Sequence, residues 1–453
     1  MKYRLLFPAL LSAFVLIGQT TQSTIDQIYQ EALSSSPVYP NLEYLCKKIG
    51  NRLSGSPAAA AAVAYTRQLM IDYGFDTVFL QPVMVPHWER GNKEIVRITQ
   101  SNAGQMDLKA LALGNSIGTG PNGIRAQVIE VSGMDEVEKQ KDKLKGKIVF
   151  FNGPMEPANY HTFQAYGNAV IQRAYGASEA AKYGALAVII RSMTQALDDE
   201  PHTGSLRYKP NMPQIPAVAI STRDADRLSQ QLKHTKPVEI YIETHCRMLE
   251  PVQSYNVIGQ LNGSEHPDSY LSVGGHLDSW DVGEGAHDDG AGCMQGIEAL
   301  RLLRTLGLAP RHTIRAVMWI NEENGGAGGT AYAQQALQNG EKHVAAIESD
   351  RGGFLPIGFT STGTDEQKAR LAAWREYFLP WGLHSFDLPG GGADIGPLAQ
   401  QGTFLIGLLP DGQRYFRYHH TAADVFETVD RRELELGAAS MAALLYLIDQ
   451  ESW

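Results

Sequence analysis

Tyr270-Leu271-Ser272-Val273-Gly274-Gly275-His276-Leu277-Asp278 is a short apolar run that ends in two glycines and then in polar side chains. It reads as a buried strand with a tight exit. Asp289 to Leu306 follows, with apolar residues at Met294, Ile297, Leu300 and Leu303, the spacing of an amphipathic helix. Ile314 to Ile320 then returns as a second apolar strand. Strand, helix and strand in succession build a parallel sheet covered by helices. Val344 to Ile347 and Thr403 to Leu409 extend the series, and Glu433 to Ile448 closes it as an amphipathic helix. The expected fold class is therefore α/β, with a mainly parallel central sheet and helices on both faces. In such sheets function gathers at the carboxyl ends of the strands.

Upstream, Ser56-Pro57 before an Ala-rich run is a capped helix start, with the helix ending near Gly74. Phe75 to Val85 reads as a strand. Between 117 and 250 the character changes. Ile124 to Val131, Lys147 to Phe151, Gly184 to Ile190 and Ile215 to Ile220 are strand-like, with helical pieces at Ser178 to Tyr183 and Thr222 to Leu232. This is expected to be a β-rich insertion beside the substrate entrance. At the start, Lys2 and Arg4 precede the apolar run Leu5 to Ile17 and a polar stretch to Ser23, the layout of a secretory leader. The expected organisation is leader 1–23, main domain 24–116, insertion 117–250 and main domain resumed over 251–453, in a secreted or periplasmic protein.

The chain has 453 residues, 43% of them hydrophobic and 19% charged, which is globular composition. With 39 basic and 49 acidic residues its net charge is −10, so no broad basic field favours nucleic acid. Beyond the leader no stretch is long and apolar enough to span a bilayer. Three cysteines cannot build a disulfide scaffold, although Cys46 and Cys246 leave one bridge open. Cys293, inside the predicted helix, reads as a small core residue.

Five clusters carry chemistry, each where a strand ends or a helix begins. They are Gly275-His276-Leu277-Asp278, His287-Asp288-Asp289-Gly290, Asn321-Glu322-Glu323, Glu348-Ser349-Asp350 and His419-His420-Thr421-Ala422-Ala423-Asp424. Taken alone, each could be a solvated turn or a helix cap. Together they place imidazoles and carboxylates at the strand ends of one sheet. In His276-Leu277-Asp278 the carboxylate is expected to brace the imidazole. Mixed imidazole and hard oxygen donors suit zinc, with cobalt or manganese less favoured. Two cations sharing a carboxylate and activating water would hydrolyse an amide bond.

The order of these motifs resembles the dinuclear zinc exopeptidases, a family that includes bacterial leucyl aminopeptidases and glutamate carboxypeptidases. It is closest to the carboxypeptidase Q-like branch. Arg191-Ser192-Met193 and Pro201-His202-Thr203-Gly204 in the insertion support this, and the insertion resembles a protease-associated domain. The resemblance implies two zinc ions: His276 and Asp350 on one, Glu323 and His420 on the other, and Asp288 bridging. It makes Glu322 the general base, Asp278 the orienter of His276 and the bond between Asp288 and Asp289 cis. His419 occupies the place of a tyrosine that stabilises the oxyanion. Gly391-Gly392-Ala393-Asp394-Ile395 departs from a Gly-Thr-Asp-Ile pattern, and Asp394 could meet a substrate amine. Peptide substrates and a homodimer are also implied. The function expected is hydrolysis of dipeptides or short peptides with free ends. The alternatives are N-terminal trimming of longer peptides, a non-catalytic receptor-like protein and a single-zinc cyclising enzyme.

Overall fold

The computed structural model describes residues 6–102, 104–234 and 237–451, with side chains described from residue 20. Residues 1–5 of the expected leader lie outside the described residues. Residues 6–23 form the beginning of a helix, Leu6–Ser35. From residue 20 that helix is part of the main body. Ile25, Ile28, Tyr29 and Ala32 are fully buried, and Tyr29 stacks on Trp381 at 4.2 Å. Among the described residues no helix is long and apolar enough to cross a membrane.

Fifteen strands are present among the described residues. They are β1 (Thr77–Glu89), β2 (Ile95–Gln100), β3 (Met106–Asp107), β4 (Ala110–Ala112), β5 (Ile124–Val131), β6 (Ile148–Phe151), β7 (Ala187–Arg191), β8 (Ala217–Ile220), β9 (Glu239–Glu243), β10 (Arg247–Leu261), β11 (His266–His276), β12 (His312–Trp319), β13 (Lys342–Glu348), β14 (Pro356–Thr362) and β15 (Phe404–Pro410). The first sheet runs β1-β10-β12-β11-β13-β15-β14. Its centre, β12-β11-β13-β15, is parallel, while β1, β10 and β14 attach antiparallel. The parallel part is thus the inner four strands. β12, β13 and β15 are buried along almost their whole length and β11 from Leu271 to His276, which is why they read as continuous apolar runs.

The helix Ala291–Thr305 packs on β11 and β12, and Arg431–Gln450 packs on that helix. The closing helix starts two residues before the expected Glu433, because Asp430 caps it by accepting from Glu433 N at 3.0 Å. Ser56 likewise caps Pro57–Asp72, accepting from Ala59 N at 3.1 Å.

The second sheet runs β3-β2-β9-β5-β6-β7-β8-β4. It takes in β2, β3 and β4, residues 95–112, which precede the expected boundary at 117. These strands are short; β2 pairs with β9 and β4 with β8, more than a hundred residues later, while β3 pairs with β2, so no local pattern marks them. The sheet has its own apolar core, with Val128, Phe150, Ile189 and Ile240 on one face and Phe151, Val188 and Ile190 on the other.

Cys46 and Cys246 are buried as free thiols in separate clusters. Cys46 lies in the main core and Cys246 beside Trp88 and Trp280, so the bridge left open by the sequence does not form.

Arg52, fully buried, fastens the loop that leaves β11. Its Nε donates to Leu277 O at 2.6 Å, Nη1 to Glu284 O at 2.8 Å and Nη2 to Gly285 O at 2.9 Å. Removing the guanidinium would strand three carbonyls, those of the buried Leu277 and Gly285 and the half-buried Glu284. Arg52→Met is therefore expected to lower the unfolding free energy by about 3–5 kcal/mol in urea titration. A loss below about 1 kcal/mol would show that the loop is held by other contacts.

Candidate active site

The register of the parallel strands levels their carboxyl ends. His276 pairs with Trp319 and Gly274 with Glu348, so the segments after β11, β12 and β13 emerge at one edge. His276 ends β11, Glu322 and Glu323 follow β12, and Asp350 follows β13. Asp288 precedes the helix Ala291–Thr305, and His419 and His420 lie beyond β15.

These side chains converge. Asp288 Oδ1 lies 3.3 Å from His276 Nε2, and its Oδ2 lies 3.3 Å from His420 Nε2. His276 Nε2 is 3.5 Å from Asp350 Oδ1, and His420 Nε2 is 3.2 Å from Glu323 Oε2. Two triads thus share Asp288. Two ligands each about 2.0–2.1 Å from a tetrahedral zinc lie about 3.3–3.4 Å apart, so this spacing fits the ion. Asp288 Oδ2 and Glu323 Oε1 are buried without a hydrogen-bond donor, a state that a cation relieves. His419 Nε2 is 3.9 Å from Asp288 Oδ2, and the ring stacks on His420 with centroids 3.5 Å apart. His419 therefore also reaches the second triad.

Burial and charge crowding shift these groups strongly. Burial, opposed by His276 and reinforced by Asp350, Asp278 and Asp288, pushes Glu322 up to about 8. Burial and then Asp288 push Glu323 well up. Burial is outweighed at Asp288, where the imidazoles of His276, His420 and His419 hold the carboxyl well below its usual range. Burial brings His419 down to about 4 against the pull of Asp288, so its ring is uncharged at neutral pH.

One expectation is corrected. His276 Nδ1 faces the main-chain oxygen of Asp278 at 3.0 Å, whereas the nearer carboxylate oxygen is 3.9 Å away. The Asp278 carboxylate instead accepts from Glu322 N at 3.0 Å and Glu323 N at 3.4 Å. The turn after β11 points the carbonyl inward and frees the carboxylate to hold the next strand's exit. Asp278 thus braces the imidazole with its backbone and the glutamate pair with its side chain.

Other groups hold the site in place. Asp289, joined to Asp288 by a cis peptide, accepts from His276 N at 3.0 Å and from Gly292 N at 2.9 Å. Asp424 accepts from His287 N at 2.8 Å and Asp288 N at 3.1 Å. Glu348 accepts from Ala393 N and Ile395 N. Asp394 is buried with neither carboxylate oxygen hydrogen-bonded, while Gly391, Gly392 and Ala393 line the cavity.

His420 sits in the left-handed region, φ 63°, where a non-glycine residue needs support. Thr203 supplies it from the second sheet's side. Thr203 N donates to His420 O at 3.0 Å, and Thr203 O lies 3.3 Å from His420 Nδ1. A cation at Nε2 requires the proton on Nδ1, and Thr203 O is placed to accept it. Sequence reasoning marked Asp424 and Thr203 only as parts of motifs, gave Asp289 no role beyond a helix cap and a cis bond, and assigned nothing to Arg52. Only the spacing of Asp289 from Gly292, that of a helix cap, carried a signal.

The cavity over these groups has a volume of about 470 Å³. One wall is acidic, with Asp288, Glu322, Glu323, Glu348 and Asp350. The other is aromatic and basic, and includes Phe163, Tyr166 and Arg173 from the second sheet's side.

Paired acidic and imidazole triads at the strand ends of an α/β sheet, with an unpartnered glutamate beside them, define a metallopeptidase. Residues 256–445 match the model for peptidase family M28, and residues 122–228 match that for the PA domain. Carboxypeptidase Q of Bos taurus is 35% identical over 432 residues, covering 95% of this chain and 89% of that protein. The Homo sapiens carboxypeptidase Q is 35% identical over 421 residues, covering 93% and 86%. Among solved structures, a peptidase M28 precursor from Shewanella amazonensis superposes with a TM-score of 0.91 at 33% identity, covering 96% of this chain and 98% of that one. A zinc aminopeptidase from Bacillus subtilis shares the fold, with a TM-score of 0.63 at 22% identity and coverage of 92% and 96%. The chain belongs to peptidase family M28, with the carboxypeptidase Q proteins among its relatives. It is a metallo-exopeptidase.

Gly275 has no room for a side chain, because a Cβ there would lie 2.0 Å from Asp289 Oδ2. Gly275→Ala must displace Asp289 and with it the end of β11. Zinc content by elemental analysis is expected to fall to less than about half of wild type, because the supports of a site govern its affinity. Full zinc content with full activity would refute the tight fit.

Proposed function

We propose that this site holds two zinc ions and hydrolyses dipeptides or short peptides with free ends. The shared Asp288 carboxylate, with one oxygen toward each imidazole, carries the reading. In it His276 and Asp350 hold one ion, Glu323 and His420 the other, and Asp288 both. Zinc bound there supplies Lewis acidity toward the peptide carbonyl and water.

The protein's own groups do the rest. Glu322 lines the cavity beside the triads and is not committed to either. It takes the proton of the attacking water and returns it to the leaving amine. His419, uncharged, donates a ring N–H to the oxyanion of the tetrahedral intermediate. Chain-length dependence of hydrolysis separates this reading from trimming of longer peptides.

Residues 1–23 act in this reading as a leader that takes the protein out of the cytoplasm, residues 117–250 as an insertion that forms one wall of the entrance, and two copies associate. The charge layout of the N-terminus supports the first, the matched PA domain the second, and family resemblance the third.

Glu322→Gln is expected to retain about two zinc ions per chain while dipeptide turnover falls at least about 10²-fold. Unaltered turnover would remove Glu322 from the mechanism, and one ion or none in the wild type would remove the bridge. His419→Ala is expected to lower kcat roughly 10²-fold with zinc content intact. Loss of zinc would instead make His419 a ligand, and unchanged kcat would dismiss the oxyanion role.

A further inference from the structure

Two glutamates with different tasks share one turn, Asn321-Glu322-Glu323-Asn324, directly after β12. The turn opens on Asn321 at φ 70°, in the left-handed region where a non-glycine residue needs support. From there the N–H groups of Glu322 and Glu323 both face the Asp278 carboxylate. A small change at Asn321 would therefore move both glutamates together.

The Asn321 side chain is held at both ends. Its Oδ1 accepts from Ala327 N at 3.2 Å. Its Nδ2 donates to Asn324 Oδ1 at 2.6 Å and to Ser54 Oγ at 2.8 Å. The Ser54 hydroxyl in turn donates to Asn324 Oδ1 at 2.9 Å, which closes a ring of three hydrogen bonds. All three residues are buried, with Ser54 at 1% exposure, so water does not stand in for a lost partner. Gly325 leaves the ring no slack, because a Cβ there would lie 2.1 Å from Asn321 Oδ1. A hydroxyl both accepts and donates at this corner, and an alanine would do neither.

Ser54 reaches this turn from the loop before the helix Pro57–Asp72, two residues after Arg52. Arg52 fastens the exit of β11, and Ser54 meets the exit of β12. One short stretch of loop thus grips both strand ends from which the triads emerge.

We propose that Ser54 is a positioning residue for the reaction. Through Asn321 and Asn324 it fixes the turn that aims Glu322 at the attacking water and Glu323 at its ion. This rests on the two-zinc reading above and adds the group that sets the glutamate pair.

The test is Ser54→Ala in the zinc-loaded enzyme. One of the two ions is expected to bind roughly 10-fold more weakly in chelator titration, with the other unchanged, the scale seen when the support of a ligand is lost. With zinc restored to saturation, kcat on a dipeptide is expected to fall about 10-fold while KM stays within about twofold, because the base is misplaced and the substrate's binding groups are not. Amide exchange should rise over residues 321–328 and stay at the wild-type level in the helix Arg431–Gln450. Ser56→Ala serves as the control: it removes the helix cap from the same loop, and is expected to lower stability while leaving kcat within about twofold. Wild-type kcat and zinc affinity in Ser54→Ala overturn the proposal. Equal weakening of both ions, or faster exchange throughout the chain, also overturns it, by making Ser54 a fold contact only. A wild type that holds fewer than two ions overturns the function proposed above and with it the positioning role, leaving only the grip on the turn that exchange reads.

Discussion

The carboxylate of Asp288 faces two imidazoles at once, with each oxygen 3.3 Å from a different ring. That arrangement sets demands on the rest of the fold. A side chain of two carbons cannot reach two elements unless its own backbone is fixed between them. The backbone is fixed by Asp424, which grips the N–H groups of His287 and Asp288, and by Asp289, which ties the same turn to the end of β11. Small residues around it, Gly275, Gly290 and Gly292, allow the close approach. The cluster of carboxylates is unfavourable by itself: burial first, and neighbouring carboxylates after it, push Glu322 and Glu323 up. It persists because the folded scaffold imposes it, and a divalent cation offsets it.

Much of this was legible in the chain. Continuous apolar runs marked the inner parallel strands, and acidic or His-containing motifs stood directly after them, where α/β sheets place their chemistry. The family likeness then ranked residues that spacing alone left equal, such as His420 over His419. What stayed hidden was of two kinds. The first is pairing across long sequence distance: β2 to β4 belong to the second sheet through partners near 218 and 240, and a three-residue strand has no periodicity to read. The second is which atom of a residue acts. The motif His276-Leu277-Asp278 shows that an oxygen is near the imidazole, but turn geometry decides that it is the carbonyl.

The two walls of the cavity have different origins. The acidic wall comes from strand ends of the first sheet, where registration is rigid. The aromatic and basic wall comes from Phe163, Tyr166 and Arg173 on helices beside the second sheet, and from Tyr415 and Phe416 just before His419. The acidic wall and the group Phe163, Tyr166 and Arg173 therefore sit on separate frameworks, whereas Tyr415 and Phe416 share the segment that carries His419 and His420.

That independence stops at Thr203. Its N–H and carbonyl both engage His420, one at the main chain and one at the ring, so an imidazole of the acidic wall is held by the other framework. A trimmed enzyme lacking the insertion would lose the acceptor that sets the tautomer of that ring. Transplanting the insertion between relatives should likewise succeed only when the donor brings a carbonyl to the same spot. The joint between the frameworks is therefore a heritable constraint on shuffling, enforced by one threonine's backbone and not by its side chain.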